Sequence, residues 1–166
     1  KAINDVAPFA LAGMNVKSRP AIWHQTGKGK KAPVSAAYQE QKIEARVEEF
    51  IDDVAAAYAW ADIVICRAGA LTVSEVAAAG APAIFIPLPT AIDNHQLFNA
   101  RWLADHEAAI VIEQKELTKD SLCQQLIALH ENREKLMKMH KTLKQLALPD
   151  ATNQVANHCE ELCHVC

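Results

Sequence analysis

Two apolar runs in the middle of the chain constrain its fold more than any other feature. Asp62-Ile63-Val64-Ile65-Cys66-Arg67 and Pro82-Ala83-Ile84-Phe85-Ile86-Pro87-Leu88 show no apolar/polar alternation, the pattern of parallel strands covered on both faces. Between them, Ala68-Gly69-Ala70 gives a sharp turn, Thr72 to Ala79 a helix and Gly80 its end, so the segment reads as a strand-helix-strand crossover. The alternation extends in both directions. A helix over Val6 to Met14 and its upstream neighbours stops before Pro20, and a short strand follows over Ala21 to Gln25. A helix from about Val34 to Gln41 leads to a strand over Ala45 to Ile51. Asp52 or Asp53 then caps a helix over Val54 to Trp60, which is nearly all alanine and aromatic and is expected to lie against protein rather than water.

Downstream, His95 to His106 reads as a helix, Ala109 to Ile112 as a strand and Thr118 to Leu129 as a helix. From there the sequence stays helical, with Leu136, His140, Leu143 and Ala147 on one stripe and Lys135, Lys138, Lys141 and Lys144 facing out. Pro149-Asp150 opens a last helix over residues 150–166. The fold class expected is α/β, a doubly wound parallel sheet of Rossmann type. At 166 residues the chain is long enough for one core without disulfides, so residues 1–166 are expected to form one domain.

Composition removes several classes of function. Seventeen Lys and Arg against twenty Asp and Glu leave a formal net charge of −3, which is no nucleic-acid footprint. No stretch reaches the roughly 18 uninterrupted apolar residues of a membrane-spanning helix. Of five cysteines, Cys159, Cys163 and Cys166 crowd the C-terminus; an odd count so placed suits a reducing cytoplasm better than a disulfide framework. Spacing of Cys159 and Cys163 at i, i+4 resembles a metal pair, but no second pair completes a known zinc pattern. Cys66 sits in an apolar strand, where a thiol is usually inert. His24, His106, His130 and His140 lack a carboxylate at readable spacing and are taken as surface or core histidines. The chain opens at Lys1 directly on helical sequence, from which we expect a piece of a longer protein.

In a doubly wound sheet, ligands sit beyond the carboxyl ends of the strands. That directs attention to the loops Thr26 to Lys31, Ile51 to Asp53, Arg67 to Thr72, Leu88 to Asn94 and Glu113 to Glu116. Around Arg67 to Thr72 no bulky side chain shields the backbone, so helix-start amides could meet an anion; Thr72-Val-Ser-Glu75 is equally a capping box that merely begins a helix well. Asp93-Asn-His-Gln96 repeats the theme, with Asp93 as cap and Gln96 reaching back, and its crowd of donors and acceptors suits a hydroxyl-rich ligand. Gly27-Lys-Gly-Lys-Lys31 is not a P-loop, since the four-residue spacing and the Lys-Ser/Thr end are missing, and no G-x-G-x-x-G fingerprint occurs.

The block from Ile63 to Gly80, with Asp93-Asn-His-Gln-Leu-Phe-Asn99-Ala100, resembles the donor half of the MurG-type undecaprenyldiphospho-muramoylpentapeptide β-N-acetylglucosaminyltransferases. Trp23 to Gly29, Glu49 to Asp53, Ala59 to Asp62 and Pro149 to Thr152 fit the same family, so the likeness covers nearly the whole chain. The resemblance implies a GT-B fold of two Rossmann-like halves, of which this is the C-terminal, UDP-sugar-binding one. It implies that the family's glycine-rich loop, its preceding central strand and the N-terminal acceptor half lie upstream of Lys1. It further implies that the backbone at Ile51 reads uracil, that Ala70, Leu71 and Thr72 meet the diphosphate and sugar, and that Glu75 bonds the ribose hydroxyls. Gln96 and, more weakly, His95 are implied to contact the N-acetylglucosamine, while Asp93 orders its loop. No catalytic base carries over onto this chain, and the resemblance implies neither metal nor cofactor.

The activity so implied is transfer of N-acetylglucosamine from UDP-N-acetylglucosamine to the lipid-linked muramoyl pentapeptide, converting lipid I to lipid II in peptidoglycan synthesis. It is expected in a protein of the cytoplasm held peripherally at the inner face of the cell membrane, with this half alone inactive. The partners are the donor, the N-terminal half and, through that half, the lipid-linked acceptor; nucleic acid is not among them. Two other readings remain open at this level: a UDP-sugar transferase or epimerase of the same architecture with a different acceptor, and a non-catalytic partner subunit of a split transferase.

Overall fold

A computed structural model describes residues 1–89 and 94–147. Helices and short parallel strands alternate as α1 (Ala2–Ala12), β1 (Trp23–Gln25), α2 (Lys31–Glu40), β2 (Arg46–Glu48), α3 (Val54–Trp60), β3 (Val64–Cys66) and α4 (Ala70–Ala79), then β4 (Ala83–Phe85), α5 (His95–Asp105), β5 (Ala109–Val111), α6 (Lys119–His130) and α7 (Arg133–Leu146). Among the described residues every strand is three residues long, shorter than the apolar runs predict. Of the flanking apolar residues, Ile86 and Ile112 are still buried and their amides bond the neighbouring strands, whereas Ile63 is partly buried and Leu88 is exposed. The expected helix over 150–166 and the Cys159, Cys163 and Cys166 cluster lie outside the described residues.

All strand pairs are parallel, as the unalternating sequence requires, but the ladder is in two pieces. β1 pairs with β2, and β3, β4 and β5 pair in that order. β4 is the middle strand of its sheet and divides the interior by simple alternation. Ile84 and Ile86 enter a cluster with Leu11 of α1, Tyr38 of α2 and Leu122 and Leu129 of α6. Ala83 and Phe85 enter another with Val76 of α4, Ala100 and Leu103 of α5 and Leu143 of α7. Helices therefore cover both faces, and α7 serves both clusters through Leu136 and Met139 on one and Leu143 on the other.

Local capping fixes the helix boundaries. Asp53, not Asp52, caps α3 by accepting from the Ala56 amide at 2.8 Å. Thr118 and Ser121 cap α6 reciprocally, each side chain meeting the other's backbone amide. Asn132 caps α7 through the Lys135 amide at 2.9 Å, breaking what the sequence suggested was one continuous helical stretch. The alanine-rich α3 corrects a second expectation: it has no buried residue, and Trp60 stays half exposed. Its partner within the chain is α4, with Trp60 also edge-on to Trp23 at 5.9 Å.

His24 ties β1 to the helices on one face. Asn4 donates through Nδ2 to the Thr26 carbonyl, which turns its Oδ1 toward His24 Nε2 at 3.2 Å and makes Nε2 the protonated nitrogen. Nδ1 then accepts the Tyr38 hydroxyl at 2.9 Å. Burial pushes the imidazole below its ordinary value, so the neutral form belongs to the folded state. The unfolded chain takes up a proton at this residue near pH 6.5, the folded chain only at lower pH. Its contribution is therefore complete above about pH 6.5 and is lost as pH falls to the folded-state value. Urea midpoints should decline through that window, and His24→Gln should flatten the decline.

Candidate functional site

The carboxyl ends of the strands carry the loops singled out in the sequence, and several are cross-linked there. After β1, Gly27 and Gly29 take positive φ of 82° and 72°, and the Gly29 amide donates to Glu49 Oε1 at 2.6 Å, fastening the basic turn to the segment after β2. Lys28, Lys30 and Lys31 are left exposed on that turn. The Ile51 amide donates to Gln25 Oε1 at 2.8 Å. Gln25 thus fixes the backbone of the residue assigned to uracil, a contact that nothing in the local sequence announces.

The start of α4 differs from the capping box that Thr72 and Glu75 suggest. The helix begins two residues earlier, at Ala70, with Gly69 as N-cap and no side-chain cap. Its first intrahelical bond runs from the Val73 amide to the Gly69 carbonyl at 3.0 Å. The amides of Ala70, Leu71 and Thr72 precede that bond and are the helix's orphan donors. Ala70 and Leu71 are exposed, Leu71 at 80%. Gly69 and Ala70 place no bulk over the turn, so the helix can start early, and Glu75 lands on the second turn, too far along to reach back. Its carboxylate instead accepts the Tyr58 hydroxyl from α3, with Oε2 at 3.1 Å. An uncapped, exposed helix start facing solvent is an anion site in form.

The start of the loop after β4 is held by two side chains, Arg67 and Gln96. Arg67, at the end of β3, donates through Nη1 to the carbonyls of Ile86 at 2.9 Å and Pro87 at 3.2 Å, and through Nη2 to Gln114 Oε1 at 2.7 Å. One guanidinium thus ties together the chain beyond β3, β4 and β5. Asn99 Nδ2 donates to the Ala68 carbonyl at 3.3 Å, joining α5 to the β3–α4 turn. Gln96 has a partner that its spacing did not announce. Asn94, not Asp93, is the N-cap, at φ 53°, with no side-chain cap, and Gln96 Oε1 accepts the Leu88 amide at 3.1 Å. Asp93 lies outside the described residues, and His95 is exposed at the first position of α5.

Sequence reasoning missed Gln25, Tyr58, Arg67, Asn99 and Gln114. Arg67 alone left a usable signal, since a charged residue closing a buried strand must find partners. Cys66 behaves as expected of a thiol in a strand: burial, and after it the charge of Glu75, push it up to about 12. Among the described residues no group of three His, Cys, Asp or Glu side chains could hold a metal ion, and no helix is long and apolar enough to cross a membrane. A concavity of about 440 Å³ along α7, lined by Asn132, Met137 and Lys141 among others, belongs to one helix and its cap and brings together none of the residues at the strand ends.

The sequence model of the glycosyltransferase family 28 C-terminal domain matches residues 1–155. The chain belongs to this family. It is 51% identical over 164 residues to the UDP-N-acetylglucosamine–N-acetylmuramyl-(pentapeptide) pyrophosphoryl-undecaprenol N-acetylglucosamine transferase of Cellvibrio japonicus, covering 99% of this chain and 45% of that protein. The transferase of the same name from Aeromonas hydrophila is 48% identical over 162 residues, with 98% and 44% covered. This family 28 chain thus spans less than half the length of those curated relatives. Among solved structures, Acinetobacter baumannii MurG superposes with a TM-score of 0.89 at 40% identity, over 96% of this chain and 46% of that one. The glycosyltransferase VinC, crystallised in complex with DTDP, shares the fold at 19% identity, with a TM-score of 0.65. The two parallel sheets and their covering helices therefore have the fold of the C-terminal, Rossmann-like half of GT-B glycosyltransferases.

Proposed function

We propose that this family 28 domain is the donor-binding part of a hexosyltransferase that moves N-acetylglucosamine from UDP onto the lipid-linked muramoyl pentapeptide, the lipid I to lipid II step of peptidoglycan synthesis. The observation that carries the reading is the uncapped, exposed N-terminus of α4 at the carboxyl end of β3, with Glu75 on the same helix and Gln96 on the next. The orphan amides of Ala70, Leu71 and Thr72 take the diphosphate, and Lys30 and Arg67 add positive potential nearby. Glu75 accepts from the ribose diol, and the Gln96 amide, with His95 beside it, faces the acetamido sugar. The Ile51 backbone, fixed by Gln25, reads uracil.

In the intact enzyme, the acceptor hydroxyl attacks the anomeric carbon as the bond to UDP breaks, with inversion. This half's task is to hold the donor and to take the charge that develops on departing UDP. The general base and the lipid-facing surface belong to the N-terminal half, which places the protein peripherally on the cytoplasmic face of the membrane. β1 pairs only with β2, and β3 only with β4, among the described residues; a strand from upstream of Lys1 would take up those edges.

The test is calorimetric titration of the full-length protein with UDP-N-acetylglucosamine and with UDP-glucose. Binding should favour the acetamido sugar, and absence of that preference would overturn the donor assignment. Glu75→Gln should weaken donor binding about tenfold, the scale of a charge-assisted hydrogen bond. An unchanged affinity would leave Glu75 only its contact with Tyr58.

A further inference from the structure

We infer that Tyr58 is a positioning residue for ribose recognition: its hydroxyl, donated to Glu75 Oε2, holds the carboxylate in the orientation that reads the sugar diol. The inference rests on the donor-site reading above and adds to it a residue of a different helix. Glu75 is exposed on the second turn of α4, where an unrestrained glutamate would spread over several rotamers. Tyr58 supplies the restraint at 3.1 Å and leaves Oε1 and the remaining lone pairs of the carboxylate for ligand hydroxyls. The phenol is a fixed donor. Burial first, and then the hydrogen bond to and charge of Glu75, push its pKa far above the ordinary tyrosine value.

The position of Tyr58 gives this bond a second consequence. It carries the one hydroxyl on a helix otherwise made of valine, alanine and tryptophan. That helix has no fully buried residue, so a side-chain bond to α4 matters more to its placement than it would in a core helix. Its N-cap, Asp53, lies two residues beyond Ile51. A seven-residue helix therefore starts at the segment assigned to the base and, one turn later, grips the carboxylate assigned to the sugar. Base and ribose are registered to each other by the Tyr58–Glu75 bond.

The experiment compares UDP with 2′-deoxy-UDP in the full-length protein, as wild type, Tyr58→Phe, Glu75→Gln and the double variant. Phenylalanine keeps the ring and its packing, so the thermal midpoint of Tyr58→Phe should stay near that of wild type. We expect Tyr58→Phe to weaken UDP about three- to tenfold and 2′-deoxy-UDP, which keeps only one of the two hydroxyls, by a clearly smaller factor, so that the preference for the ribonucleotide shrinks. Glu75→Gln should shrink it further, and adding Tyr58→Phe to Glu75→Gln should change little, because the two residues act as one unit. Equal weakening of both nucleotides by Tyr58→Phe is what a merely structural tyrosine predicts and would overturn the inference, as would additive losses in the double variant. A preference that collapses in Glu75→Gln but not in Tyr58→Phe refutes the role of Tyr58 alone. A preference untouched by Glu75→Gln refutes the ribose reading of Glu75, and the inference with it.

Discussion

Arg67→Ala should cost the protein about 2–3 kcal/mol of stability, the scale of losing charge-assisted hydrogen bonds from a partly buried site. Nη1 serves the Ile86 and Pro87 carbonyls and Nη2 serves Gln114, so the substitution removes three bonds and leaves acceptors at the ends of two strands without their donor. Function should suffer more than folding. The loop after β4 leads to Asn94 and Gln96, and Gln96 is registered to that loop through the Leu88 amide. With the guanidinium gone, the loop loses its anchor and the site loses a positive charge together. Donor affinity should fall by more than tenfold, read by the same titration with UDP-N-acetylglucosamine. Arg67→Lys restores the charge without the planar fork, and a lysine ammonium cannot span carbonyls of one strand end and the amide of another. We therefore expect it to recover little. Recovery to wild-type affinity in Arg67→Lys would show that charge, not bracing, is the residue's contribution.

Gly80→Val should be about equally destabilising, at roughly 3 kcal/mol, for a reason at the C-terminal end of α4. Gly80 closes α4 at φ 68°, a left-handed conformation that a β-branched residue resists at about 1–2 kcal/mol. A Cβ there would stand 2.7 Å from Lys144 Cε and 3.0 Å from the His140 ring. Those two side chains of α7 cap the end of α4: His140 Nδ1 donates to the Gly80 carbonyl at 2.6 Å, and Lys144 Nζ to the Ala78 carbonyl at 2.8 Å. Both satisfy carbonyls that the helix leaves unpaired, and the lysine charge complements the negative end of its dipole. Displacing them adds about 1 kcal/mol each. Thermal unfolding should register a drop of about 6–12 °C. Gly69→Ala is the control, since Gly69 has φ −61° and its Cβ would meet only Thr72 Oγ1 at 3.9 Å; it should stay within about 1 kcal/mol of wild type. A comparable loss in Gly69→Ala would mean that α4 tolerates no added side chain at either end, and the left-handed cap would not be the cause.

What the sequence by itself determined is the parallel α/β order and the loops in which a ligand can sit. Unalternating apolar runs such as Ile63 to Cys66 and Ala83 to Ile86 demand burial on both faces, and that demand is local to each run. Gly80 as the end of α4 and Asp53 as a candidate cap were legible for the same reason: backbone conformation and capping act over a few residues. The resemblance carried by Ile63 to Gly80 located the candidate ligand contacts, and the structure sets Ala70, Leu71 and Thr72 at an open helix start.

What only the tertiary structure decided are the partners of polar side chains. Thr72 and Glu75 have the spacing of a capping box, but spacing cannot show that Gly69 starts the helix earlier or that Tyr58 waits across the seam. The spacing of Gln96 gave no sign that its side chain serves the Leu88 amide. The composition of α3 suggested a covered helix, and the described residues leave it open to solvent, because burial depends on what other elements bring to that face. Arg67 reaches 19, 20 and 47 residues along the chain for its acceptors. Contacts at such separations are set by how strands and helices stack, and local patterns of residue type do not encode them.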